Sequence, residues 1–269
     1  MRAVIDVETL RNYLSDPDWF VFDARFSLQK PDAGQEAYQS GHIPSAQYAH
    51  LDRDLSQPLS PHSGRHPLPT AAQFQTTMRK WGVNAASNLV VYDSSRFAFA
   101  ARFWWLCRYF GHDRVWVLDG GLDAWMQQGN PLDTDVPEFA EGNFVAQPRD
   151  LQVMNREAIL SRPEDLVLID AREAPRYQGI HEPIDPIAGH IEGAFNVPWQ
   201  HVTDERGFLK PREVLASLFK EVPEGNRVVY CGSGVTACVV QLALFELDQP
   251  MRMYPGSWSQ WCSYMLENG

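Results

Sequence analysis

The chain of 269 residues carries one series of four short motifs twice, in the same order in each half. The paired motifs are WFVFDAR (19–25) and LVLIDAR (166–172), GHIPSA (41–46) and GHIEGA (189–194), LVVYD (89–93) and RVVYC (227–231), and GGLDAW (120–125) and GSWSQW (256–261). The spacing between partners changes only slowly along the chain, which indicates an internal duplication rather than chance. A duplicated chain of this length predicts two similar domains.

Each half alternates short apolar runs, typical of buried strands, with segments of helical periodicity. Examples of the helical segments are the apolar stretches at 103–110 and 235–244. This alternation predicts an α/β fold of two tandem domains, each a mostly parallel sheet flanked by helices. We place the N-terminal domain at 1–135 and the C-terminal domain at 153–269. The linker at 136–152 is predicted from a stretch that contains prolines and acids but few apolar residues.

The composition disfavours several kinds of partner. The formal net charge of −11 gives an acidic surface, which repels nucleic-acid phosphates. No apolar run approaches the ~20 residues of a membrane-spanning helix, and the N-terminus lacks the pattern of a signal peptide. Four cysteines without a CxxC pair predict neither a disulfide scaffold nor a zinc site. We therefore expect no nucleic-acid, membrane or metal partner, and a location in the reducing cytoplasm.

Cys231 has a sequence context that the other cysteines lack, because it follows the apolar run VVY and precedes GSG and a helical stretch. Backbone N–H groups and the positive end of a helix dipole favour the nucleophilic thiolate at such a position. The matching residue of the first half is Asp93, so that half is predicted to be non-catalytic. The alternative is that Cys231 is only a small buried residue, which is our interpretation of Cys107 and Cys238.

The duplicated motifs and the cysteine loop resemble the tandem rhodanese-type sulfurtransferases over essentially the whole chain. The loop CGSGVT at 231–236 is similar to the active loop of the branch that uses 3-mercaptopyruvate. The thiosulfate branch carries basic residues where Gly232 and Ser233 stand here. The resemblance implies that Cys231 takes sulfur from a small anionic donor as a persulfide, without a cofactor. The sulfur would then pass to cyanide, a thiol or a thioredoxin-like protein, with 3-mercaptopyruvate the favoured donor and thiosulfate the alternative.

The resemblance also implies which residues form the site. Catalytic roles are implied for Cys231, Ser233, His66 and Asp52, and substrate binding for Arg176, Gly232, Gly234, Val235 and Thr236. A Ser–His–Asp relay would protonate the enolate that leaves mercaptopyruvate, whereas sulfite leaving thiosulfate needs no proton. The arginine would hold the donor's carboxylate through paired hydrogen bonds.

Alternatives stay open for two of these residues. His66 could be a structural residue of a proline-flanked loop, and Arg176 could be a solvated surface side chain. Because His66 and Asp52 lie in the first half of the sequence, we expect the site to be completed between the domains.

One position departs from the pattern of the mercaptopyruvate branch, because Ile184 stands where that branch has a second arginine. Arg65 is a candidate for the missing charge, although nothing in the sequence shows it. A cysteine phosphatase or arsenate reductase would need an arginine six residues after the cysteine, where Ala237 stands. A non-catalytic binding module is disfavoured by the intact glycine loop after Cys231.

Several polar residues recur in both halves, although only one half has the cysteine. We therefore predict that they are structural rather than catalytic. They are His42 and His190, Asp23 and Asp170, and Arg25 and Arg172.

Overall fold

The two halves of the sequence fold into two units, each built on its own parallel sheet, in a computed structural model that describes residues 2–250 and 252–267. The first unit comprises Met1–Ser56, Pro69–Arg149 and Glu205–Leu209. The second unit comprises Gln57–Leu68, Asp150–Asp204 and Lys210–Gly269. The predicted α/β fold with two parallel sheets is confirmed.

The first unit contains a five-stranded sheet in the order β1-β5-β4-β2-β3, with all neighbours parallel. Its strands are β1 (Val4–Ile5), β2 (Trp19–Asp23), β3 (Ala46–Tyr48), β4 (Asn88–Tyr92) and β5 (Val115–Leu118). Its helices are α1 (Val7–Tyr13), α2 (Ala33–Ser40), α3 (Leu51–Asp54), α4 (Ala71–Lys80), α5 (Ala100–Tyr109) and α6 (Gly121–Gln127). Strands β2 and β4 form the buried centre, which explains why both read as nearly continuous apolar runs.

The second unit contains a four-stranded parallel sheet in the order β7-β6-β8-β9. Its strands are β6 (Leu166–Asp170), β7 (Phe195–Asn196), β8 (Asn226–Tyr230) and β9 (Arg252–Met253). Its α-helices are α7 (Arg156–Leu160), α8 (Ala174–Tyr177), α9 (Arg212–Leu218), α10 (Ala237–Glu246) and α11 (Ser257–Glu267), with 3-10 turns at Asp150–Gln152 and Trp199–His201. Over the described residues, no helix combines the length and the apolar character needed to cross a membrane.

The repeated Asp-Ala-Arg motif closes the carboxyl end of one central strand in each unit. Arg25 Nη2 donates to Asp23 Oδ2 at 2.6 Å and to the glycine carbonyl of the following GHI motif at 2.7 Å. Arg172 Nη2 makes the same two bonds at the same distances, to Asp170 and to the second glycine carbonyl. The pairs therefore tie the strand end to the loop that carries GHI, and the structural role predicted for them fits this geometry.

The histidines of the GHI motifs also have matching surroundings. His42 Nδ1 lies 2.8 Å from the carbonyl oxygen of Tyr38, and the two rings stack with centroids 3.9 Å apart. His190 Nδ1 lies 2.7 Å from the carbonyl oxygen of Tyr177, with the same 3.9 Å stacking. Each imidazole thus holds the end of a helix, as expected for a structural residue.

The segment after α6 runs without regular secondary structure to residue 149 and belongs to the first unit. Its Phe144 side chain is buried, and the Phe144 N–H donates to the Val83 carbonyl at 3.1 Å. The Gln147 N–H donates to the Phe110 carbonyl at 2.9 Å. The part of the predicted linker from 142 to 149 is therefore tied to the first unit by backbone hydrogen bonds, and the domain limits at 135 and 153 stay a prediction.

Candidate active site

Cys231 lies at the carboxyl end of the central strand β8, where a parallel sheet brings strands into helices. The residue is 1% exposed. Its N–H donates to Ser257 Oγ at 3.1 Å, and its carbonyl accepts from the Trp258 N–H at 3.0 Å. The first turn of α11 therefore fixes the start of the loop 231–236, which leads into α10.

The two glycines after Cys231 serve different purposes. Gly234 has a φ of +76°, and a Cβ there would lie 2.5 Å from the Pro255 carbonyl oxygen, so the backbone itself requires glycine. At Gly232 a Cβ would instead lie 2.8 Å from Arg65 Nη2 and 3.4 Å from Arg176 Nη2. Glycine at 232 therefore leaves room for two guanidinium groups directly over the loop.

Ser233, two residues after Cys231 in the sequence, forms a buried polar pair with His66. Ser233 Oγ lies 2.7 Å from His66 Nδ1, and each residue is 6% exposed. Asp52 lies on α3 in the first unit and its side chain is exposed. Val235 is buried and Thr236 is half-buried at the start of α10. The structure thus joins two of the four predicted catalytic residues by a hydrogen bond.

The position of His66 corrects the expectation that it comes from the first domain. The segment Gln57–Leu68 belongs to the same unit as Cys231, although it precedes α4 in the sequence. The neighbouring Arg65 N–H donates to Ser259 Oγ on α11 at 3.1 Å. This irregular segment has no hydrophobic periodicity to reveal its partner, so the sequence order alone suggested the wrong unit.

A chain of ion pairs positions Arg176 beside the loop. Arg176 Nε donates to Glu182 at 3.1 Å and its Nη2 to Asp185 at 2.9 Å. Glu182 also accepts from Arg172 Nη1 at 3.1 Å, and Asp185 also accepts from Arg65 Nη1. Both carboxylates are nearly inaccessible to solvent, so the arginine heads have fixed positions.

Sequence reasoning missed Glu182 and Asp185, although both lie within two residues of Ile184. The acidic character of these two residues, close in sequence to Arg176, is the signal that could have revealed them, because a buried guanidinium group needs anionic partners. Ile184 itself is 44% exposed and supplies no charge. Position 184, where a second arginine was expected, therefore carries no charge, and Arg65 is the other arginine that lies near the loop.

Burial changes the acidity of several neighbours of the site. Burial and the adjacent Arg176 guanidinium lower the pKa of Arg65, whereas Cys231 and Glu182 oppose this change. Burial raises the pKa of the Cys262 thiol, and it raises the pKa of Cys107 well above its usual value. Cys107 and Cys262 are therefore held in the protonated form, which agrees with the interpretation of Cys107 as a core residue.

The equivalent loop of the first unit is filled by its own carboxylate. Asp93 is fully buried, and its two oxygens accept from the backbone N–H groups of Ser95 (2.8 Å), Phe97 (3.2 Å), Phe99 (2.9 Å) and Ala100 (2.9 Å). Burial raises the pKa of Asp93, while these four donors act in the opposite direction. A loop of this kind therefore directs several N–H groups at one anion.

No group of three or more His, Cys, Asp or Glu residues is arranged to hold a metal ion within the described part of the chain. Fold and site together define a class: tandem α/β proteins in which one of two similar units keeps a buried cysteine at a strand–loop–helix junction. The Rhodanese-like domain family matches residues 6–128 and 156–264. The chain therefore belongs to the rhodanese family, with two family domains in tandem.

Relatives with assigned activities cover nearly the whole chain. It is 41% identical over 271 residues to a probable 3-mercaptopyruvate sulfurtransferase of Pseudomonas aeruginosa, covering 96% of this chain and 94% of that protein. It is 38% identical over 249 residues to SseB of Mycobacterium tuberculosis, a putative thiosulfate sulfurtransferase, covering 90% and 87%. The crystal structure of SseA from Escherichia coli, a 3-mercaptopyruvate enzyme, has a TM-score of 0.86 and 35% identity, covering 96% and 100%. The predicted enzyme class, a sulfurtransferase, is confirmed.

Proposed function

We propose that this protein transfers sulfur from 3-mercaptopyruvate to a thiophilic acceptor through a persulfide on Cys231. The Cys231 thiolate attacks the donor sulfur, and the bond from that sulfur to C3 breaks with its electron pair remaining on carbon. The attack gives the Cys231 persulfide, which still carries the donor's sulfhydryl proton, and the enolate of pyruvate. Loss of that proton from the persulfide and gain of one proton at C3 of the enolate then leave the Cys231 persulfide anion and pyruvate. The position of Cys231 at a strand end before α10 supports this role.

The contact between Ser233 and His66 is the observation that carries the choice of donor. The carbon leaving group of mercaptopyruvate is an enolate that must gain a proton, and a buried hydroxyl–imidazole pair at 2.7 Å can transfer one. Sulfite, the leaving group of thiosulfate, has no such requirement. Asp52 stays the proposed acid of this Ser–His–Asp relay on the resemblance alone.

The loop and Arg176 supply the binding functions in this proposal. Arg176 holds the donor's carboxylate, because its guanidinium is fixed by buried carboxylates and faces Gly232. Backbone N–H groups of Gly232, Gly234, Val235 and Thr236 stabilise the persulfide anion. The four donors on Asp93 in the first unit support this assignment, because they show that the repeated loop type can cradle an anion.

The second half-reaction returns the enzyme to its starting state. Cyanide attacks the outer persulfide sulfur, thiocyanate leaves, and the Cys231 thiolate is restored. A small thiol or a reduced thioredoxin-like protein is the alternative acceptor. We also propose a cytoplasmic location, because the four cysteines are free and a reactive thiol persists best in a reducing compartment. Apart from the segment 57–68, which belongs to the unit of Cys231, the proposed domain at 1–135 then has no nucleophile of its own, in contrast to the proposed catalytic domain at 153–269.

Thiosulfate is the second candidate donor. Two guanidinium groups near Gly232 suit a dianion as well as a carboxylate, and the Mycobacterium tuberculosis relative is named for thiosulfate. In that reaction the thiolate attacks the outer sulfur and sulfite leaves with the electron pair. The same persulfide forms, so the two donors differ only in the proton that the leaving group needs.

Steady-state rates with both donors and cyanide test the proposal. We expect a higher kcat/KM with 3-mercaptopyruvate than with thiosulfate, and loss of both activities in Cys231→Ser. Ser233→Ala should lower kcat/KM about 100-fold with mercaptopyruvate, but less than threefold with thiosulfate. Ser217→Ala, at an exposed position of α9, is the matched control. A clear preference for thiosulfate would refute the donor, and near-normal turnover by Cys231→Ser would refute the mechanism.

A further inference from the structure

We propose that helix α11 positions the imidazole of His66 for proton transfer by bracing the chain segment that precedes it. The positioning residues of this brace are Ser259 on α11 and His62 in the segment. The term α11 brace is used below for the contacts of residues 62–65 with α11. Both positioning residues act through His66 and not on the donor itself, and their role rests on the sulfurtransferase function proposed above.

Ser259 links the two parts of the chain that carry the proton-transfer pair. Its N–H donates to the Gly232 carbonyl at 2.9 Å, and its Oγ accepts from the Arg65 N–H at 3.1 Å. Gly232 directly precedes Ser233 in the chain, as Arg65 precedes His66. One residue of α11 therefore binds the backbone next to each partner of the 2.7 Å contact between the hydroxyl and the imidazole.

His62 fixes the other end of the braced segment. Its carbonyl accepts from Gln260 Nε2 at 2.5 Å. Its Nδ1 lies 2.9 Å from Ser263 Oγ, and its Nε2 lies 2.8 Å from Glu267 Oε1. The imidazole also stacks on the Tyr264 ring, with the centroids 4.2 Å apart. The backbone, the ring nitrogens and the ring face of His62 are thus all in contact with α11.

The backbone of the braced segment follows the start of the helix closely. The φ angle is +55° at His62 and +74° at Gly64. A left-handed conformation is uncommon for a residue with a side chain, and it persists where the surrounding contacts hold it. A Cβ at Gly64 would lie 2.8 Å from the Gly256 carbonyl oxygen and 3.2 Å from Ser259 Oγ. The path of the chain is therefore set by α11 before the chain reaches His66.

The contacts of the α11 brace differ in strength. The Glu267 carboxylate is 62% exposed, so its pair with His62 contributes little. The bond from the Arg65 N–H to Ser259 is partly buried, and losing a bond of this kind shifts an equilibrium by about 2- to 10-fold. The effect on proton transfer is of the same order, because an imidazole delivers a proton only from the correct distance and direction.

Kinetics of Ser259→Ala and His62→Asn test the α11 brace. Asparagine tolerates the left-handed backbone but cannot stack on Tyr264. In a ping-pong reaction kcat/KM for the donor reports the first half-reaction alone. We expect each variant to lower kcat/KM about 3- to 10-fold with 3-mercaptopyruvate, but less than twofold with thiosulfate, because sulfite leaves without a proton.

Ser217→Ala is the matched control for this experiment. Ser217 Oγ and Ser259 Oγ each donate to the carbonyl three residues earlier, but Ser217 lies on the exposed side of α9. The control should leave kcat/KM unchanged with both donors. An equal fall with both donors in Ser259→Ala, or no fall with mercaptopyruvate, would overturn the brace.

A combination with Ser233→Ala separates positioning from a general loss of stability. In the Ser233→Ala protein, His66 has lost the hydroxyl against which it is positioned. Adding Ser259→Ala should therefore change kcat/KM for mercaptopyruvate less than twofold in that background. The same 3- to 10-fold fall in both backgrounds would indicate a merely structural role and would overturn the proposal.

Exchange of the backbone amide hydrogens, measured by mass spectrometry on peptides, does not depend on turnover. We expect the segment 57–68 to exchange at least fivefold faster at Arg65 in Ser259→Ala, whereas strand β6 keeps the wild-type rates. Unchanged exchange in 57–68, or faster exchange throughout the second unit, would overturn the brace. If the wild type transfers sulfur from neither donor, the proposed function fails, while the exchange rates still decide whether α11 holds the segment.

Discussion

Replacing Asp93 by Asn tests how the repeated loop holds an anion. The carboxylate of Asp93 accepts four backbone N–H bonds, two on each oxygen. Asn keeps one carbonyl oxygen, and its NH2 group faces the N–H groups of Phe99 and Ala100 or those of Ser95 and Phe97. Two buried donors therefore lose their acceptor in the variant.

The expected loss follows from these two donors. A buried N–H without a partner costs about 1–3 kcal/mol, so two cost about 2–6 kcal/mol. Removing a buried charge offsets part of this, because burial raises the pKa of Asp93 and so disfavours its charged form. We therefore expect the free energy of unfolding of the first unit to fall by roughly 2–4 kcal/mol, which lowers its Tm by roughly 5–15 °C.

Differential scanning calorimetry at neutral pH measures this change, and Asp123→Asn on the exposed face of α6 is the matched control. Sulfur transfer at 25 °C should stay within twofold of the wild-type rate, because Asp93 belongs to the unit without the cysteine. A Tm equal to that of Asp123→Asn would refute the anion-holding loop. Loss of sulfur transfer in a folded Asp93→Asn protein would show that the first unit takes part in the chemistry.

Three further predictions follow from individual residues. Gly234→Ala should lower sulfur transfer more than tenfold and reduce the Tm of the second unit, because its φ of +76° and a carbonyl 2.5 Å away exclude a Cβ; full activity would contradict this. Burial lowers the pKa of His112 in the folded protein below the value of about 6.5 that it has in the unfolded chain. The neutral imidazole therefore makes its full contribution to the free energy of unfolding above about pH 6.5, and this contribution is lost as the pH falls below that value. His112→Asn should therefore flatten the fall in unfolding free energy between pH 7 and 5 in urea titrations, unlike exposed His181→Asn, and an unaltered slope would refute this. Arg172→Met leaves two buried carboxylates without a shared cation and should destabilise the second unit by about 3–5 kcal/mol, which chemical denaturation would detect; a loss below 1 kcal/mol would contradict it.

Features that depend on local pattern could be predicted from the sequence. The apolar runs before Asp23, Asp170 and Cys231 are the central strands β2, β6 and β8, because a strand buried on both faces leaves a nearly continuous apolar run. The strand-end position of Cys231 follows from the same pattern and from the glycine loop. The histidines of the GHI motifs could be interpreted as structural because they recur in the unit without the cysteine.

Features that depend on distant contacts could not be predicted in the same way. The segment Gln57–Leu68 has no secondary-structure periodicity, and hydrogen bonds to α11 decide that it belongs to the second unit. The convergence of Arg65 and Arg176 depends on Asp185, which the two share across a wide separation in sequence. Nothing in the composition of either segment indicates this bridge. Two-residue strands such as β9 are likewise too short to give an alternating pattern.

The mass of the intact protein after treatment with 3-mercaptopyruvate, without an acceptor, tests the central claim most directly. A persulfide on Cys231 predicts a gain of ~32 Da, one sulfur atom, that disappears on addition of cyanide. Cys238→Ser and Cys262→Ser should retain the gain, because both thiols are fully buried in the core and are not expected to react with the donor. The account predicts that Cys231→Ser abolishes the gain entirely; the same gain in that variant, or none in an active wild-type enzyme, would contradict it.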